Sequence, residues 1–409
     1  MSHPGTRVHD LAVVGGGMTG LALACAAAGA GLSVVLIERH PLAATAAAPF
    51  DGRVTAIARG SRRLLDAIGV WSRLAAEAQP ILDIRVGERH SPLTVHYDHR
   101  EVGDEPLGHI VENRLIRRAL LARTAELAKG PLEIAAPVQL SHSVREAGSA
   151  GLRLEGTGEI RASLVAAADG RGSMLRSEAG IGILRWDYDQ TGIVATIEHE
   201  RPHAGLAIER FFPEGPLAIL PMTGNRSSIV WAAANRLAGE LVALDDAEFM
   251  DELGERFGDE LGALELAGPR WHYPLSMVQA ERYTAPRLAL VGDAARAIHP
   301  IAGQGWNLAL RDVAALAELL VEAKRLGLDP GGPFVLDRYA RWRRFDSLAL
   351  IAVTDGLNRL FANDLLPLRL AREFGLAAVE RIGPLKRFFM HHAMGLLGDL
   401  PRLMRGEPL

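Results

Sequence analysis

Two glycine-rich segments, one near the start of the chain and one near residue 300, carry the residues best suited to chemistry. The first, residues 15–20, reads G-G-G-M-T-G and has the spacing G-x-G-x-x-G. In that pattern the first glycine permits a tight turn, the second lets a pyrophosphate approach the backbone, and the third lets a helix pack against a strand. The start of that helix then offers free N–H groups to the phosphates. The pattern therefore predicts a phosphate site at Gly15, Gly17 and Gly20.

The segments around this motif predict a strand, a helix and a second strand. Residues 11–14 are an apolar run, residues 21–28 are alanine-rich, and residues 33–37 are apolar again, with Glu38 following. A carboxylate at this distance from the glycines typically meets ribose hydroxyls, and it repels a 2′-phosphate. We therefore expect an adenine dinucleotide without a 2′-phosphate and place the next residue, Arg39, in the same site. This unit alone does not distinguish NAD from FAD.

The second glycine-rich segment favours FAD. A predicted strand over residues 287–291 ends at Asp293, and a long apolar helix predicted over about 306–326 begins after the glycines of residues 303–305. An acid at the end of a strand can hydrogen-bond a polyol such as the ribityl chain of a flavin. The helix start can present N–H groups to the flavin edge that becomes negative on reduction, which favours the reduced state.

Composition excludes several other classes of protein. A chain of 409 residues predicts two or three domains, and a formal net charge of −4 provides no basic field for nucleic acid. The single cysteine, Cys25, excludes an internal disulfide and a thiol cluster for a metal. We expect Cys25 to pack in a core rather than to act in redox chemistry, no metal site, and a reducing cytoplasmic location.

The second segment resembles a known family signature. Residues 291–312 read V-G-D-A-A-R-A-I-H-P-I-A-G-Q-G-W-N-L-A-L-R-D. They resemble the signature of the ubiquinone-biosynthesis aromatic ring hydroxylases, the UbiH/VisC-like group, which are related to para-hydroxybenzoate hydroxylase. The family usually has glycine where this chain has Ala309. The likeness covers nearly the whole chain, with five further similar segments: 51–57, 168–176, 220–222, 230–231 and 405–406.

The resemblance implies roles for individual residues. Arg53 would lie near the flavin and pyrophosphate, Asp293 would bind the ribityl or pyrophosphate region, and Asp169 would lie where the FAD and nicotinamide sites meet. The cofactor-binding residues that we expect are Gly15, Gly17, Gly20, Glu38, Arg39, Arg53, Asn113, Asp169, Asp293, Pro300, Gly303, Gln304, Gly305 and Asn307. Other interpretations stay open, since Arg53 could lie on the surface and Asp169 could cap a turn. No catalytic residue is assigned; Arg53 and His299 are the candidates, although His299 before a proline is more often structural.

The order of the predicted elements indicates interleaved domains. The expected fold is α/β: a Rossmann-like FAD/NAD(P)-binding domain interleaved with a β-rich substrate domain, followed by a helical C-terminal region. The predicted FAD-binding domain comprises residues 1–75, 105–181 and 285–345. The predicted substrate domain comprises residues 76–104 and 182–284, and the helical region comprises residues 346–409.

The resemblance implies an FAD-dependent monooxygenase. NAD(P)H would reduce FAD, O2 would add at flavin C4a, and the hydroperoxide would transfer an OH group to a phenol. With no second G-x-G-x-x-G in the sequence, NAD(P)H is expected to bind transiently. The substrate would be a polyprenylated phenol on the way to ubiquinone. Two alternatives stay open: hydroxylation of a small soluble aromatic compound, and a non-catalytic flavoprotein subunit of a biosynthetic complex.

The C-terminal segment over residues 383–406 combines apolar and basic side chains. Such an amphipathic segment can lie at a membrane surface. A helix that packs on its own protein or on another subunit is an equally open interpretation. The expected location is therefore the cytoplasm, with peripheral contact at the inner membrane and with other ubiquinone-biosynthesis proteins as further hypotheses.

Overall fold

A computed structural model describes residues 8–46, 49–88, 94–156, 158–298, 303–344, 346 and 375–409. The strands in this part of the chain are β1 Val8–Val14, β2 Val34–Ile37, β3 Val54–Ala58, β4 Gln79–Ile81, β5 Asp83–Glu88, β6 Thr94–Asp98, β7 Gly108–Glu112, β8 Leu132–Ala135, β9 Leu140–Arg145, β10 Ala150–Leu154, β11 Gly158–Ala167, β12 Ile183–His199, β13 Leu206–Phe212, β14 Gly215–Met222, β15 Arg226–Ala234, β16 Leu264–Leu266, β17 Trp271–Ala280, β18 Thr284–Ala285, β19 Leu288–Leu290 and β20 Arg296–Ala297.

Six of the described α-helices have ten residues or more, and the others are shorter. They are α1 Met18–Gly29, α2 Leu42–Ala46, α3 Arg59–Ala67, α4 Asn113–Leu127, α5 Met174–Glu178, α6 Asn235–Ala243, α7 Asp246–Phe257, α8 Gly305–Arg325, α9 333–344, α10 375–381, α11 Gly383–Ala393 and α12 Arg402–Arg405. None of the described helices is long and apolar enough to cross a membrane.

The first sheet has eight strands and carries both glycine-rich segments. Its order is β18-β19-β11-β1-β2-β8, with β10 paired to β11 and β9 to β10. The pairs β2–β1, β1–β11 and β11–β19 are all parallel. Parallel strands covered on both faces are apolar throughout, which explains why residues 11–14 are all buried. The carboxyl ends of four neighbouring strands therefore meet at one edge, where doubly wound sheets bind ligands.

Helices α1 and α8 pack together on this sheet. The alanine-rich sequence of α1 lets it lie deep in the core, with residues 20–28 buried. Cys25 is within it, and its Sγ lies 3.4 Å from Thr124 Oγ1. Burial raises the pKa of the Cys25 thiol to about 11, so the thiol is protonated at neutral pH. This environment fits the packing role expected for Cys25.

The second sheet has nine strands in the order β20-β17-β12-β15-β14-β13-β5-β6, with β16 paired to β12. One face packs against α6 and α7 through an apolar cluster that includes Trp231 and Phe249. We call the opposite face the inner face. It contributes Ala207 and Met222 to a second apolar cluster, in which they meet residues of the three-stranded sheet β3-β7-β4 and Met390 of α11.

Sequence patterns located most of these elements but not their ends. The helix expected at about 306–326 is α8, and the apolar run at 11–14 is the buried end of the longer strand β1. The amphipathic pattern of residues 112–128 predicts a helix that begins at Glu112, but Glu112 ends β7 and α4 begins at Asn113. The difference arises because β7 pairs with β3, a contact between distant segments that no local pattern reveals.

Candidate active site

The glycine loop after β1 is built around close backbone contacts. Gly15 has φ +109°, and a Cβ there would overlap the carbonyl oxygen of Ala168, directly after the neighbouring strand β11. A Cβ on Gly20 would overlap the carbonyl oxygen of Gly15. Gly17, by contrast, has no atom within 4 Å of an added Cβ, and no side chain caps the helix that follows it. Gly15 and Gly20 thus shape the loop, whereas Gly17 leaves the start of α1 open.

Glu38 is held against the same loop. Its Oε2 accepts a hydrogen bond from the Gly16 N–H at 2.6 Å, and its Oε1 accepts one from the His40 N–H at 2.8 Å. A Cβ on Gly16 would come within 2.9 Å of Glu38 Cγ, so the middle glycine is also required. Arg39 follows with an exposed side chain. The carboxylate is therefore fixed beside the start of α1, at the end of β2.

Asp169 follows β11 and begins the next loop at this edge. Its Oδ2 accepts hydrogen bonds from the N–H groups of Met174 at 2.9 Å and Leu175 at 3.4 Å, so it caps the short helix α5. Its Oδ1 is buried and has no hydrogen-bond partner among the described residues. Desolvation raises the pKa of Asp169, and the hydrogen bonds at the start of α5 oppose that shift only in part. Oδ2 of Asp169 therefore caps α5, as one interpretation of the sequence expected, whereas Oδ1 is available to a ligand.

Asp293 follows β19 and lies in a cleft with Arg171. The Arg171 Nε is 3.6 Å from Asp293 Oδ2, and both side chains are about half exposed. Desolvation by the walls of the cleft raises the pKa of Asp293, and the Arg171 charge opposes this. The cleft has a volume of about 60 Å³ and is lined by Arg171, Gly292, Asp293, Arg296, Ala297, Ile298, Gly305, Leu308 and Ala309.

The start of α8 forms another wall of this cleft. Gly303 has φ +60° and packs against Ala56 of β3, where an added Cβ would be 3.1 Å from the Ala56 Cβ. The Gln304 side chain donates to the Ala393 carbonyl at 3.3 Å. Gly305 is the first residue of α8 and has no atom within 4 Å of an added Cβ. The helix therefore begins at a bare glycine that lines the cleft.

The Asn307 side chain links α8 to β3, and the expected contact of Asn307 with the flavin stays a prediction. Its Oδ1 accepts from the Ala58 N–H at 3.0 Å, and its Nδ2 donates to the Ala56 carbonyl at 2.8 Å. It is buried. The Asn307 amide thus forms hydrogen bonds to the β3 backbone of the kind that a neighbouring strand would form, and it fixes the position of the helix start.

Arg53 and Asn113 lie near the inner face rather than at the first glycine loop. The Arg53 Nε donates to Asp51 Oδ2 at 2.9 Å, and its guanidinium lies 5.8 Å from the centre of the Tyr273 ring. The hydrogen bond that Arg53 donates to Asp51 raises the pKa of Arg53. Asn113 accepts from Thr55 Oγ1 at 2.6 Å. His299 and Pro300 lie outside the described residues.

A buried charge network supports the Asp293 loop. The sequence patterns did not predict it. Asp312 of α8 is fully buried, and its Oδ2 accepts from the Gly292 N–H at 3.0 Å. Its Oδ1 accepts from Arg296 at 2.6 Å and from Arg343 Nε at 2.7 Å. Arg343 also pairs with Asp346 at 2.7 Å. The signal was present, because the family-like segment contains Arg296 and ends on Asp312.

Arg176 joins the two acidic loops. Its side chain is buried, and it donates to the Ala294 carbonyl at 2.9 Å and to the Arg171 carbonyl at 2.7 Å. The loop after β11 and the loop after β19 are thereby held at a fixed separation.

These features fit an extended dinucleotide. The open start of α1 suits a pyrophosphate, Glu38 suits a ribose, and the unpartnered oxygen of Asp169 can accept from a polyol or a nicotinamide. The bare start of α8 can face the pyrimidine edge of a flavin. Fold and site therefore define an FAD-binding α/β protein.

Comparison with known proteins assigns the family. The model of a family described as "FAD binding domain" matches residues 8–349. Ubiquinone hydroxylase UbiL of Rhodospirillum rubrum is 52% identical over 406 residues, covering 98% of this chain and 94% of the relative. The 3-demethoxyubiquinol 3-hydroxylase of Escherichia coli is 36% identical over 391 residues, covering 95% of this chain and 98% of the relative. The chain belongs to the FAD-dependent ubiquinone-biosynthesis hydroxylase family.

Solved structures agree on the fold. The p-nitrophenol 4-monooxygenase PnpA of Pseudomonas putida has a TM-score of 0.78 at 20% identity, covering 96% of this chain and 99% of that one. PqsL of Pseudomonas aeruginosa has a TM-score of 0.76 at 21% identity, covering 90% and 100%. The predicted fold class, the family resemblance, FAD as cofactor and the assignment as a monooxygenase are confirmed.

Proposed function

We propose that this protein hydroxylates the aromatic ring of a polyprenylated phenol on the way to ubiquinone. The observation that carries this proposal is the position of the cleft. Its wall at the start of α8 packs through Gly303 on Ala56, and Ala56 packs on the apolar cluster of the inner face. An apolar substrate bound against that face would thus lie next to the flavin edge. The names of the relatives support this class of substrate.

The chain's own residues would bind and orient the reactants. Gly17 and the first turn of α1 would hold the pyrophosphate of FAD, and Glu38 would hold the ribose. Asp293, Arg171 and the N–H groups at the start of α8 would hold the ribityl chain and the flavin edge. Bound FAD would accept reducing equivalents from NAD(P)H and activate O2. We further propose that the first sheet forms the cofactor domain and the second sheet the substrate domain, with the inner face excluding water from the reaction.

Deletion of the gene tests the substrate class. Mass spectrometry of quinone extracts from the deletion strain should show loss of ubiquinone and accumulation of a prenylated phenol that lacks one ring hydroxyl. Normal ubiquinone in the deletion strain would contradict the proposal. If simple hydroxybenzoates instead stimulate NAD(P)H oxidation by the purified holoenzyme, with product formed, the small-aromatic alternative is the correct one.

We also propose that α11 contacts a lipid surface. Ile382, Phe388 and Phe389 are 50%, 52% and 38% exposed, whereas Met390 of the same helix packs in the inner-face cluster. The helix therefore joins an exposed apolar surface to the region proposed for the substrate. Lys386 does not take part in the exposed basic surface expected from the sequence, because it is buried and pairs with Glu101 at 2.8 Å.

The segment over residues 383–406 is thus divided between surface and core. Leu403 and Met394 are buried, while Arg387 is exposed beside the two phenylalanines. Co-sedimentation with vesicles of phosphatidylcholine and phosphatidylglycerol should fall sharply in a Phe388→Ser/Phe389→Ser variant. The control, Val144→Ser, removes an equally exposed apolar residue on β9 and should bind like the wild type. Unchanged vesicle binding with a changed oligomeric state would assign α11 to a subunit contact instead.

A further inference from the structure

A carboxyl group lies within the apolar inner face. Glu209 is on β13, between Ile208, which packs towards α7, and Arg210. Its neighbours at two residues on either side, Ala207 and Phe211, are buried, and Ala207 belongs to the inner-face cluster. Because side chains alternate across a strand, Glu209 projects from the inner face.

Glu209 stands in an otherwise apolar row that crosses the sheet. Cross-strand pairing places these residues side by side in the order Val86, Glu209, Ala218, Val230, Val194 and Trp271. At the end of the row, the Trp271 ring lies 5.8 Å from the Phe50 ring in an edge-to-face contact and covers Gly52. The row therefore faces the segment that carries Arg53 and the three-stranded sheet, which is the region proposed for the aromatic substrate.

Among the described residues, Glu209 has no ion pair and no hydrogen bond from another side chain. The charged groups of the layers packed against the inner face are engaged elsewhere: Arg53 with Asp51, Arg226 and Arg114 with Glu112, and Lys386 with Glu101 and Glu380. Tyr97, on the same face, has its own pKa raised to about 12 by burial and is neutral.

The protein around Glu209 shifts the pKa of its carboxyl group towards neutral pH. Desolvation by the surrounding protein raises the pKa of Glu209 to about 7. Part of the side chain nevertheless remains accessible, so a small molecule can reach it. A desolvated acid without a partner costs stability, and such groups are concentrated at functional sites.

We propose that Glu209 binds the ring hydroxyl of the aromatic substrate and takes its proton during hydroxylation. This inference rests on the proposed function. As the ring carbon forms its new C–O bond, the hydroxyl O–H bond breaks and its proton moves to the Glu209 carboxylate. The ring carbon then loses its hydrogen as a proton, and Glu209 returns a proton to the original oxygen as the ring becomes aromatic again. The oxidant is the flavin-activated oxygen: its O–O bond breaks as the new C–O bond forms, and the oxygen atom that is left takes up the proton released from the ring carbon.

The kinetic test compares Glu209→Gln with the matched control Glu214→Gln, which changes an exposed acid at the end of the same strand. General-base assistance is worth about 10²–10⁴-fold, so hydroxylation kcat/KM should fall by that factor in Glu209→Gln. In the wild type and the control, kcat/KM should rise with pH through about 7. That dependence should vanish in Glu209→Gln, while FAD content and the rate of flavin reduction by NAD(P)H stay unchanged. Wild-type kcat/KM with the same pH dependence in Glu209→Gln would overturn the proposal.

A binding test distinguishes a failure of the role proposed for Glu209 from a failure of the proposed hydroxylase function. Flavin absorbance changes in the oxidised holoenzyme report the binding of a short-chain prenylphenol and of its methyl ether. In the wild type, preference for the phenol should increase as pH rises through about 7, and Glu209→Gln should show no preference. Equal binding of both ligands by the wild type at every pH would refute the role of Glu209. Preference without hydroxylation would leave Glu209 as a phenol-binding residue and refute the proposed function.

Thermal unfolding shows whether a loss of activity in Glu209→Gln arises from misfolding. Because the folded pKa of Glu209 is raised, the fold favours its neutral form, and the group destabilises the protein as pH rises above its unfolded value. Glu209→Gln should therefore melt at or above the wild-type temperature, by a margin that grows as pH rises to about 7 and levels off above it. A lower melting temperature at every pH would mean that Glu209 has a structural role, which contradicts the proposal. Glu209→Asp, which keeps the carboxylate, should restore part of the pH dependence.

Discussion

Replacement of Asp312 by asparagine removes the central charge of the buried network beneath the Asp293 loop. Asp312 is inaccessible to solvent and accepts from Gly292, Arg296 and Arg343. Burial opposes the charge of Arg296, but the attraction and hydrogen bond of Asp312, together with nearby tyrosines, outweigh burial and raise the pKa of Arg296. The asparagine variant would leave two buried guanidinium groups with Asp346 as the remaining carboxylate.

The expected loss is large. Removal of one partner from a buried ion pair costs about 3–5 kcal/mol of unfolding free energy. For a domain of roughly 150–250 residues, 1 kcal/mol corresponds to about 2–4 °C, so the melting temperature should fall by about 6–20 °C. FAD should also bind more weakly, since the Gly292 N–H that Asp312 holds directly precedes Asp293.

Thermal unfolding of apo and FAD-loaded protein measures both effects. The matched control is Glu322→Gln on the same helix, where the ion pair to Arg338 at 3.0 Å is about 39% exposed at both partners. Such a surface pair contributes about 0–1 kcal/mol, so the control should lose less than about 4 °C. An Asp312→Asn variant that melts within the range of the control and loads FAD normally would refute the role assigned to the network.

Three further predictions concern single residues. Gly17→Leu should leave the apo melting temperature nearly unchanged, because a Cβ there meets open space, but should abolish FAD loading; a yellow, fully loaded variant would contradict the phosphate site. Gly20→Ala should lower the melting temperature itself, because its Cβ would overlap a backbone oxygen; an unchanged melting temperature would count against that packing. Asp293→Ala should weaken FAD binding about 10- to 150-fold, as for a charge-assisted hydrogen bond, and an unchanged dissociation constant in a fluorescence titration would exclude the contact.

Local sequence was sufficient for the cofactor loop. The spacing of Gly15, Gly17 and Gly20 between apolar runs specifies a tight turn and a helix start from neighbouring residues alone, and the structure has the strand, loop and helix that this spacing predicts. The same holds for Glu38, whose position at the end of β2 follows from the length of the unit. Which residues bind FAD stays a prediction, since no bound cofactor tests it.

Contacts between distant segments could not be predicted. The Asn307 side chain accepts a hydrogen bond from the Ala58 N–H, 249 positions away, which no local pattern indicates. The pairing of Asp312 with Arg343 joins α8 to α9 across 31 positions. A periodic apolar pattern identifies α8 but does not reveal which charges it buries. Likewise, alternation in β13 puts Glu209 and Arg210 on opposite faces, but only the packed sheets show which face is turned towards the three-stranded sheet.

The most direct test of the central claim is a single-turnover experiment with isotopically labelled O2. Purified protein loaded with FAD would be reduced by NAD(P)H and mixed with labelled O2 and a short-chain prenylphenol, and the product would be analysed by mass spectrometry. If the protein hydroxylates a phenol with oxygen activated by its flavin, the product should be ring-hydroxylated and contain one labelled oxygen atom. Reoxidation of the flavin with release of hydrogen peroxide alone, and no labelled product from any phenol, would contradict it.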